Sequence, residues 1–407
     1  MKRRTFLKSA VAGAGAAIGL VSDLSAAIPE MKITGVRVYK PNASGVSPML
    51  QSAQIVTVET DAGITGIGEG GSIDSVESCA TKIIGQNPSR TEFLWQRMDY
   101  GEFYPAGRER MHALGALDLA LWDIKGKALD VPVYELLGGR NRDYLECYAT
   151  GFPGNYKSLK ERAAACIRAG FRAYRIHGAD PGRGEPFDSR KMVNKTYEMC
   201  KELHEGVGPD GDWAIDFHTR YDRPDAVRLC SLIEELNPYF VEDLIRIENT
   251  AAYKTLRGAV NVPIAVGEQF GDKWDIHELI EQDLIDYSRV TLPNAGGITE
   301  YMKLAALCET HYVGLIPHFT GPVSTAANVH ACGVFSGPVL AEMTGGGRNK
   351  YSHLPEYFDF RDGKLWLNDR PGLGVEFDSN EAELVAEFTE PGLVRGFNRP
   401  DGSYTNW

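Results

Sequence analysis

Three carboxylic acids recur at an equal interval in the second half of the chain: Asp216, Glu242 and Glu268, each 26 residues from the next. Each stands in or at the end of a short apolar run (Trp213–His218, Tyr239–Leu244, Pro263–Glu268) of the kind that forms a buried strand. The interval fits one strand, one helix and their turns, so the acids fall at the same height on successive strands of a repeating β/α unit. Three anions gathered there repel and shift one another's pKa values unless a cation neutralises them. Oxygen donors of this type suit a hard ion, and Mg²⁺ keeps positions open for water and substrate oxygens. The competing account is that each acid caps the following helix or pairs with a Lys or Arg across the sheet. Of nine histidines, His177, His218 and His318 fall at the ends of expected strands. Imidazole titrates near pH ~6.5 and can give or take a proton, so two of them facing a bound substrate can act as acid and base. For His177 the alternation Arg175-Ile176-His177 describes a plain strand equally well.

The elements that must position these residues follow from periodicity. Short apolar runs at Tyr144–Thr150, Ala173–His177, Trp213–His218, Tyr239–Leu244, Pro263–Glu268, Tyr287–Leu292, Val313–His318 and Pro338–Met343 alternate with seven helical stretches. Eight strands and seven helices predict a β/α barrel without its last helix, whose active-site face is at the C-terminal ends of the strands. A doubly wound sheet needs a Gly-rich phosphate turn after an early strand, and none stands there. Upstream, alternating runs from Ile33 to Glu69 with an Asp61-Ala62-Gly63 turn predict an antiparallel meander, and Arg110–Asp130 reads as a long helix. Downstream, Asp362-Gly363 between alternating runs predicts a hairpin in a tail returning to the first region.

With 407 residues the chain is long enough for two domains, and its formal net charge of -12 argues against nucleic acid as a partner. Seven scattered cysteines show no C-x-x-C spacing and read as small buried apolar residues. Lys2-Arg3-Arg4 precedes a weakly apolar Ala10–Val21 stretch and the small residues Ser25-Ala26-Ala27, the pattern of a twin-arginine export signal. That stretch is well short of the ~20 residues a membrane span needs. A periplasmic protein with no stable membrane anchor after cleavage is expected.

The residues then resemble the enolase superfamily, and within it the mandelate racemase/muconate lactonizing enzyme branch with its acid-sugar dehydratases. The likeness runs from Thr60-Asp61-Ala62-Gly63-Ile64-Thr65-Gly66-Ile67-Gly68-Glu69 through Ala116-Leu117-Asp118-Leu119-Ala120-Leu121-Trp122-Asp123 and Leu136-Leu137-Gly138-Gly139. It continues through Asp216-Phe217-His218, Gly267-Glu268, Asn294-Ala295-Gly296-Gly297 and Pro317-His318. The resemblance implies an α/β fold, a (β/α)7β TIM-like barrel at 141–345 beneath an α+β capping domain at 28–140, after a signal at 1–27 and before a tail at 346–407. It implies Mg²⁺ on Asp216, Glu242 and Glu268, α-proton abstraction by His318, an enediolate stabilised by the metal, and expulsion of the β-hydroxyl by His218. Three departures stand out. Thr291 occupies the place of the aspartate that usually pairs with the strand-seven histidine, and a hydroxyl cannot raise the basicity of His318 as a carboxylate would. Arg175-x-His177 replaces the racemase Lys-x-Lys, which leaves His177 as a candidate base and Arg175 as a ligand for the substrate carboxylate. Leu244 follows Glu242-Asp243 where a proline is usual.

Arg289, set as in mannonate-type dehydratases, and Glu342 on the last strand are expected to meet substrate. The expected function is Mg²⁺-dependent dehydration of an aldonic or uronic acid to a 2-keto-3-deoxy acid, by a homo-oligomer acting on a small carboxylate. The alternatives are a racemase or epimerase, a cycloisomerase of lactones, and a non-catalytic acid-sugar binding protein. A metal-barrel hydrolase needs a His-x-His pair on the first barrel strand, and Cys147-Tyr148-Ala149-Thr150 has none. Substrate choice falls to loops, Lys40–Gln51 and Tyr100–Arg110, the latter carrying Tyr104 and Arg108.

Overall fold

The computed structural model describes residues 28–42, 54–347 and 350–405. The segment expected to be an export signal lies outside them, as does most of the Lys40–Gln51 stretch. Strands β1 (Ile33–Pro41), β2 (Ile55–Thr60) and β3 (Thr65–Glu69) form the antiparallel meander, followed by helices α1 (Ile73–Ile83), α2 (Thr91–Asp99), α3 (Gly107–Leu129) and a short α4 (Val133–Leu136). The helix α3 is buried over most of its circumference from Met111 to Ile124 because it is sandwiched between this sheet and the barrel. Gly66 and Gly68 let it lie directly on β3: a Cβ at either would stand 2.0 or 1.8 Å from the carbonyl oxygens of Ala120 and Ala116.

The barrel strands are β4 (Tyr144–Thr150), β5 (Ala173–His177), β6 (Asp212–Asp216), β7 (Phe240–Glu242), β8 (Ile264–Val266), β9 (Tyr287–Ser288), β10 (Gly314–Leu315) and β11 (Ala341–Thr344). All neighbours pair in parallel, β11 returns to β4, and a bridge between Leu315 and Val339 completes the ring. Between them run α5 (Leu159–Arg168), α6 (Ser189–Val207), α7 (Arg223–Ile233), α8 (Ala252–Arg257), α9 (Lys273–Glu281), α10 (Ile298–Thr310) and α11 (Pro322–Val334). The floor of the barrel is filled by Tyr148, Ala173, Ala214, Phe240, Ala265, Ile316 and Leu340, two aromatic and two aliphatic side chains balanced by three alanines. Strands β6 to β10 end earlier than their apolar runs suggest, at Asp216, Glu242, Val266, Ser288 and Leu315.

The tail divides. Its hairpin, β12 (Asp359–Arg361) and β13 (Lys364–Trp366), turns at Asp362-Gly363 and adds antiparallel to the N-terminal half of β4, on the barrel. The rest of the tail returns to the first region: Leu373 N–H bonds Asp123, β14 (Ala382–Phe388) pairs with β1, Gly392 N–H bonds the Thr81 carbonyl, and Tyr404 packs on Phe93. All seven cysteines are buried, unbridged thiols. Among the described residues no helix is long and apolar enough to cross a membrane.

Two carboxylates of α3 fasten the first region, one to the barrel and one to the tail. Asp118 accepts from Thr299 N–H (3.0 Å) and Thr299 Oγ1 (2.5 Å) at the start of α10. Asp123 joins Ile67 N–H of β3 to Leu373 N–H of the tail, with Lys127 as its counter-ion. Gly297, at φ 89° just before α10, leaves Asp118 its room: a Cβ there would meet the carboxylate at 2.4 Å.

Candidate active site

Strand register sets the first row of the site. His177 on β5 is paired with Asp216 on β6, and Asp216 with Glu242 on β7, so the three stand side by side at one height. The chain then turns sharply. His218 (φ 51°), Thr219 (φ 55°) and Asp243 (φ 45°) take left-handed conformations that non-glycine residues rarely adopt, a strain that clusters where function over-determines the backbone. His218 N–H donates to Asp216 Oδ1 (2.6 Å) and Thr219 N–H to the carbonyl of Asp243 (3.0 Å), which fixes both turns.

Beneath the mouth lies a closed ionic network. Arg175 donates to Glu242 Oε2 (2.5 Å), Asp216 Oδ2 (3.3 Å) and Glu342 Oε1 (3.3 Å). Arg289, fully buried, donates to Glu242 Oε1 (2.6 Å), Tyr148 Oη (2.6 Å), the Ile316 carbonyl (3.2 Å) and Glu342 Oε2 (3.0 Å). Glu342 also accepts from Thr150 Oγ1 (2.6 Å) and Phe319 N–H (3.1 Å). Inside the barrel Arg175, Arg289 and Glu342 bind one another and Glu242, as ionised groups persist there only when paired, while Arg175 Nε is buried without a partner. Burial raises the Glu342 carboxyl, but Arg289 and Arg175 outweigh it and hold the group well below its usual range.

Above the network Glu242, Asp243 and Glu268 bring oxygens within 4.8 Å of one another. Asp216 stands at their edge with its carboxylate turned to Arg175 and to His177 Nδ1 (3.0 Å). Asp243 is the member that sequence reasoning missed. The acidic pair Glu242-Asp243 was visible, but only the left-handed turn at Asp243 brings the second carboxylate into the group. Its Oδ2 accepts from Gln269 Nε2 (3.1 Å), while Oδ1 is buried without a partner. Burial and the neighbouring Glu242 and Asp243 charges push Glu268 up to about 9. Burial alone would raise Asp216, yet Arg175, His177 and His218 bring it down to about 2.

Glu268 lies between two imidazoles. His318 Nε2 is 3.3 Å from its Oε2, and His218 Nε2 is 3.8 Å from its Oε1. His318 Nδ1 stands 3.3 Å from Thr291 Oγ1, and burial together with Arg289 and Arg175 lowers its pKa to about 3, so it is neutral near pH 7. His218 is half-exposed and its ring meets that of His177 edge-on at 5.5 Å. From the first region Arg108 reaches the mouth, where the Asn294 amide, turned to present its oxygen, accepts from Nε (3.1 Å) and Nη2 (3.2 Å). Tyr104 lies further out, on a cavity of about 350 Å³ that Tyr100–Ala106 form with Asp272 and Trp274.

Residues 33–138 match the N-terminal domain of the mandelate racemase / muconate lactonizing enzyme family, and residues 158–382 the enolase C-terminal domain-like family. The chain belongs to the mandelate racemase/muconate lactonizing branch of the enolase superfamily. Curated relatives of this branch include D-galactonate dehydratase of Xanthomonas oryzae pv. oryzae, 34% identical over 86% of this chain and 95% of that one. The D-galactonate dehydratase of Pectobacterium atrosepticum is 33% identical over 93% and 97%. An enolase from Pantoea ananatis solved with D-gluconate and Mg superposes with a TM-score of 0.78 at 27% identity, covering 86% of this chain and 94% of that one. Another from Agrobacterium radiobacter, solved with sodium and L-malate, gives 0.75 at 26%, covering 92% and 99%.

The acidic group of this enolase-superfamily enzyme fits a divalent cation: the donors are all carboxylate oxygens, Asp243 Oδ1 is buried and unpartnered, and Glu268 is held protonated by its neighbours. A pH effect follows. Glu268 has a folded-state pKa of about 9 against 4.5 unfolded, so its contribution favours the folded chain below pH 4.5 and is lost as pH rises toward 9. The chelated protein should therefore lose thermal stability between pH 5 and pH 9, and added Mg²⁺ should restore more of it at pH 9 than at pH 5. Melting curves in EDTA and in Mg²⁺ measure both; a cation effect independent of pH would refute the assignment.

Proposed function

We propose that this enzyme is a Mg²⁺-dependent dehydratase of an aldonic or uronic acid, exported by its twin-arginine segment and acting in the periplasm. The observation that carries the reading is the placement of His318 and His218 on the two oxygens of Glu268. A substrate carboxylate bound at the acidic group then lies between a neutral imidazole and a half-exposed one. Asp216, Glu242 and Glu268, with Asp243 beside them, would hold the cation, which supplies a positive field that acidifies the carbon next to the carboxylate. His318 Nε2 takes the α-proton; its other nitrogen is held at Thr291 Oγ1, which fixes the ring without adding negative charge. His218 delivers a proton to the departing β-hydroxyl, giving water and an enol that ketonises to the 2-keto-3-deoxy acid. The network of Arg175 and Arg289 beneath keeps the carboxylates in place and the floor dry. The D-galactonate dehydratases and the gluconate-bound enolase among its relatives support an aldonate as substrate.

Incubation with Mg²⁺ and a panel of aldonic and uronic acids in D₂O, followed by proton NMR, tests this. The expected result is loss of water with one solvent deuteron at C3 of the product. Deuterium entering the α-position without water loss would make the protein an epimerase or racemase. Ring opening or closure at constant mass would make it a cycloisomerase, and tight binding with no exchange a binding protein.

A further inference from the structure

We infer that Glu69, at the end of β3 in the capping domain, is a positioning residue for His318, acting as the N-cap of α11 from another domain. The inference rests on the reading of His318 as the group that takes the α-proton. Helix α11 begins with Gly321 at the cap position, which has no side chain to offer, and Pro322 at the first helical position, which has no N–H to be capped. Glu69, fully buried, supplies what is missing. Its Oε2 accepts from Val323 N–H (3.0 Å) and its Oε1 from Ser324 N–H (2.8 Å) and Ser324 Oγ (2.5 Å), the N–H groups a local cap residue would satisfy. Gly321 has no side chain because the carboxylate occupies that space: a Cβ would stand 2.3 Å from Glu69 Oε1.

The bonds continue toward the histidine. Thr320 Oγ1 donates to Ser324 Oγ (3.0 Å), and Phe319 N–H donates to Glu342 (3.1 Å), so the turn carrying His318 is pinned by a barrel carboxylate on one side and a capping-domain carboxylate on the other. Asp118 makes the same kind of cap on α10, whose preceding turn carries no histidine. The two acids thus share a structural role, but Glu69 caps the helix directly after the His318 turn, while Asp118 reaches that histidine only by way of the turn that starts at Thr291. Directly opposite Glu69 in the sheet lies Ile55, where β2 begins, so the seating of the capping domain reaches the base through one side chain.

The test compares Glu69→Gln, Ser324→Ala and Asp118→Asn in the Mg²⁺-loaded full chain, with D-galactonate and its C2-deuterated form. Glu69→Gln turns an amide N–H against backbone donors and should lower kcat by about 10–100-fold with KM within about twofold, while raising the deuterium effect on kcat, because sub-ångström misplacement of a reacting group slows its own step. Ser324→Ala keeps both backbone bonds and should give a smaller shift in the same direction. Asp118→Asn should lower the melting temperature and leave the isotope effect alone. Equal kcat and isotope effects for Glu69→Gln and Asp118→Asn, when both are folded, would overturn the inference. If the wild type turns over nothing, the dehydratase reading fails separately, and a crystal structure of Glu69→Gln with His318 and its turn unmoved would still overturn this one.

Discussion

A His218→Asn variant is expected to exchange the α-proton of its substrate with solvent at close to the wild-type rate while losing water about 10²–10⁴-fold more slowly, the range a positioned general acid contributes. The separation follows from geometry. His318 is buried, held at Thr291 and Glu268, and neutral near pH 7, so one ring nitrogen carries a lone pair that faces the acidic group. His218 is half-exposed on the opposite oxygen of Glu268, with its backbone fixed by Asp216 but its ring free to follow a leaving group. His318→Asn should therefore abolish exchange and dehydration together, since nothing is left to open the reaction. His177, 3.0 Å from Asp216, is the internal control. If His177→Asn, not His318→Asn, stops exchange, the base is on the second barrel strand and the assignment of faces is reversed. Deuterium uptake and product formation followed in one NMR time course decide among these outcomes.

The framework of this site was legible before any coordinates. The 26-residue interval places Asp216, Glu242 and Glu268 on successive strands, and register confirms the height for Asp216 and Glu242. Helix Ile298–Thr310 and the long α3 follow from runs of helix-forming apolar residues at steps of three and four, long enough to mark a helix even where burial on several sides blurs the polar face. The mutual pairing of Arg175, Arg289 and Glu342 was not legible, for a physical reason. Glu342 is 167 residues from Arg175 and 53 from Arg289, and only closure of the ring at β11 brings it between them. A charged residue on a barrel strand reads alike whether it faces substrate above or a counter-ion below. Asp243 was hidden differently: its neighbour Glu242 marks the strand end, but a residue following a strand residue ordinarily points the other way, and a left-handed turn reverses that. The partner of the tail hairpin was equally out of reach, since the open N-terminal half of β4 exists only once the barrel has formed.

Glu342→Gln should destabilise the folded chain by about 3–5 kcal/mol at neutral pH, the cost of leaving a buried charge without its counter-ion. In the wild type the two guanidiniums of Arg175 and Arg289 are balanced chiefly by Glu242 and Glu342, all four nearly or fully buried. The glutamine retains the size of the side chain and an oxygen for Phe319 N–H, so the loss isolates charge from packing. The sign of its pH dependence is fixed. Glu342 is held well below its unfolded value of 4.5, so its stabilising contribution is full above that value and disappears as pH falls through the folded-state pKa. Acid therefore converts the wild type toward the variant, and the gap between their denaturant midpoints should narrow below pH 4.5. Adding Arg289→Met to Glu342→Gln removes one charge of each sign and should recover part of the loss, because the remaining Arg175 and Glu242 still form a pair. A Glu342→Gln cost under about 1 kcal/mol at neutral pH would mean that water reaches these groups, and the network would then have no claim to hold the carboxylates above it.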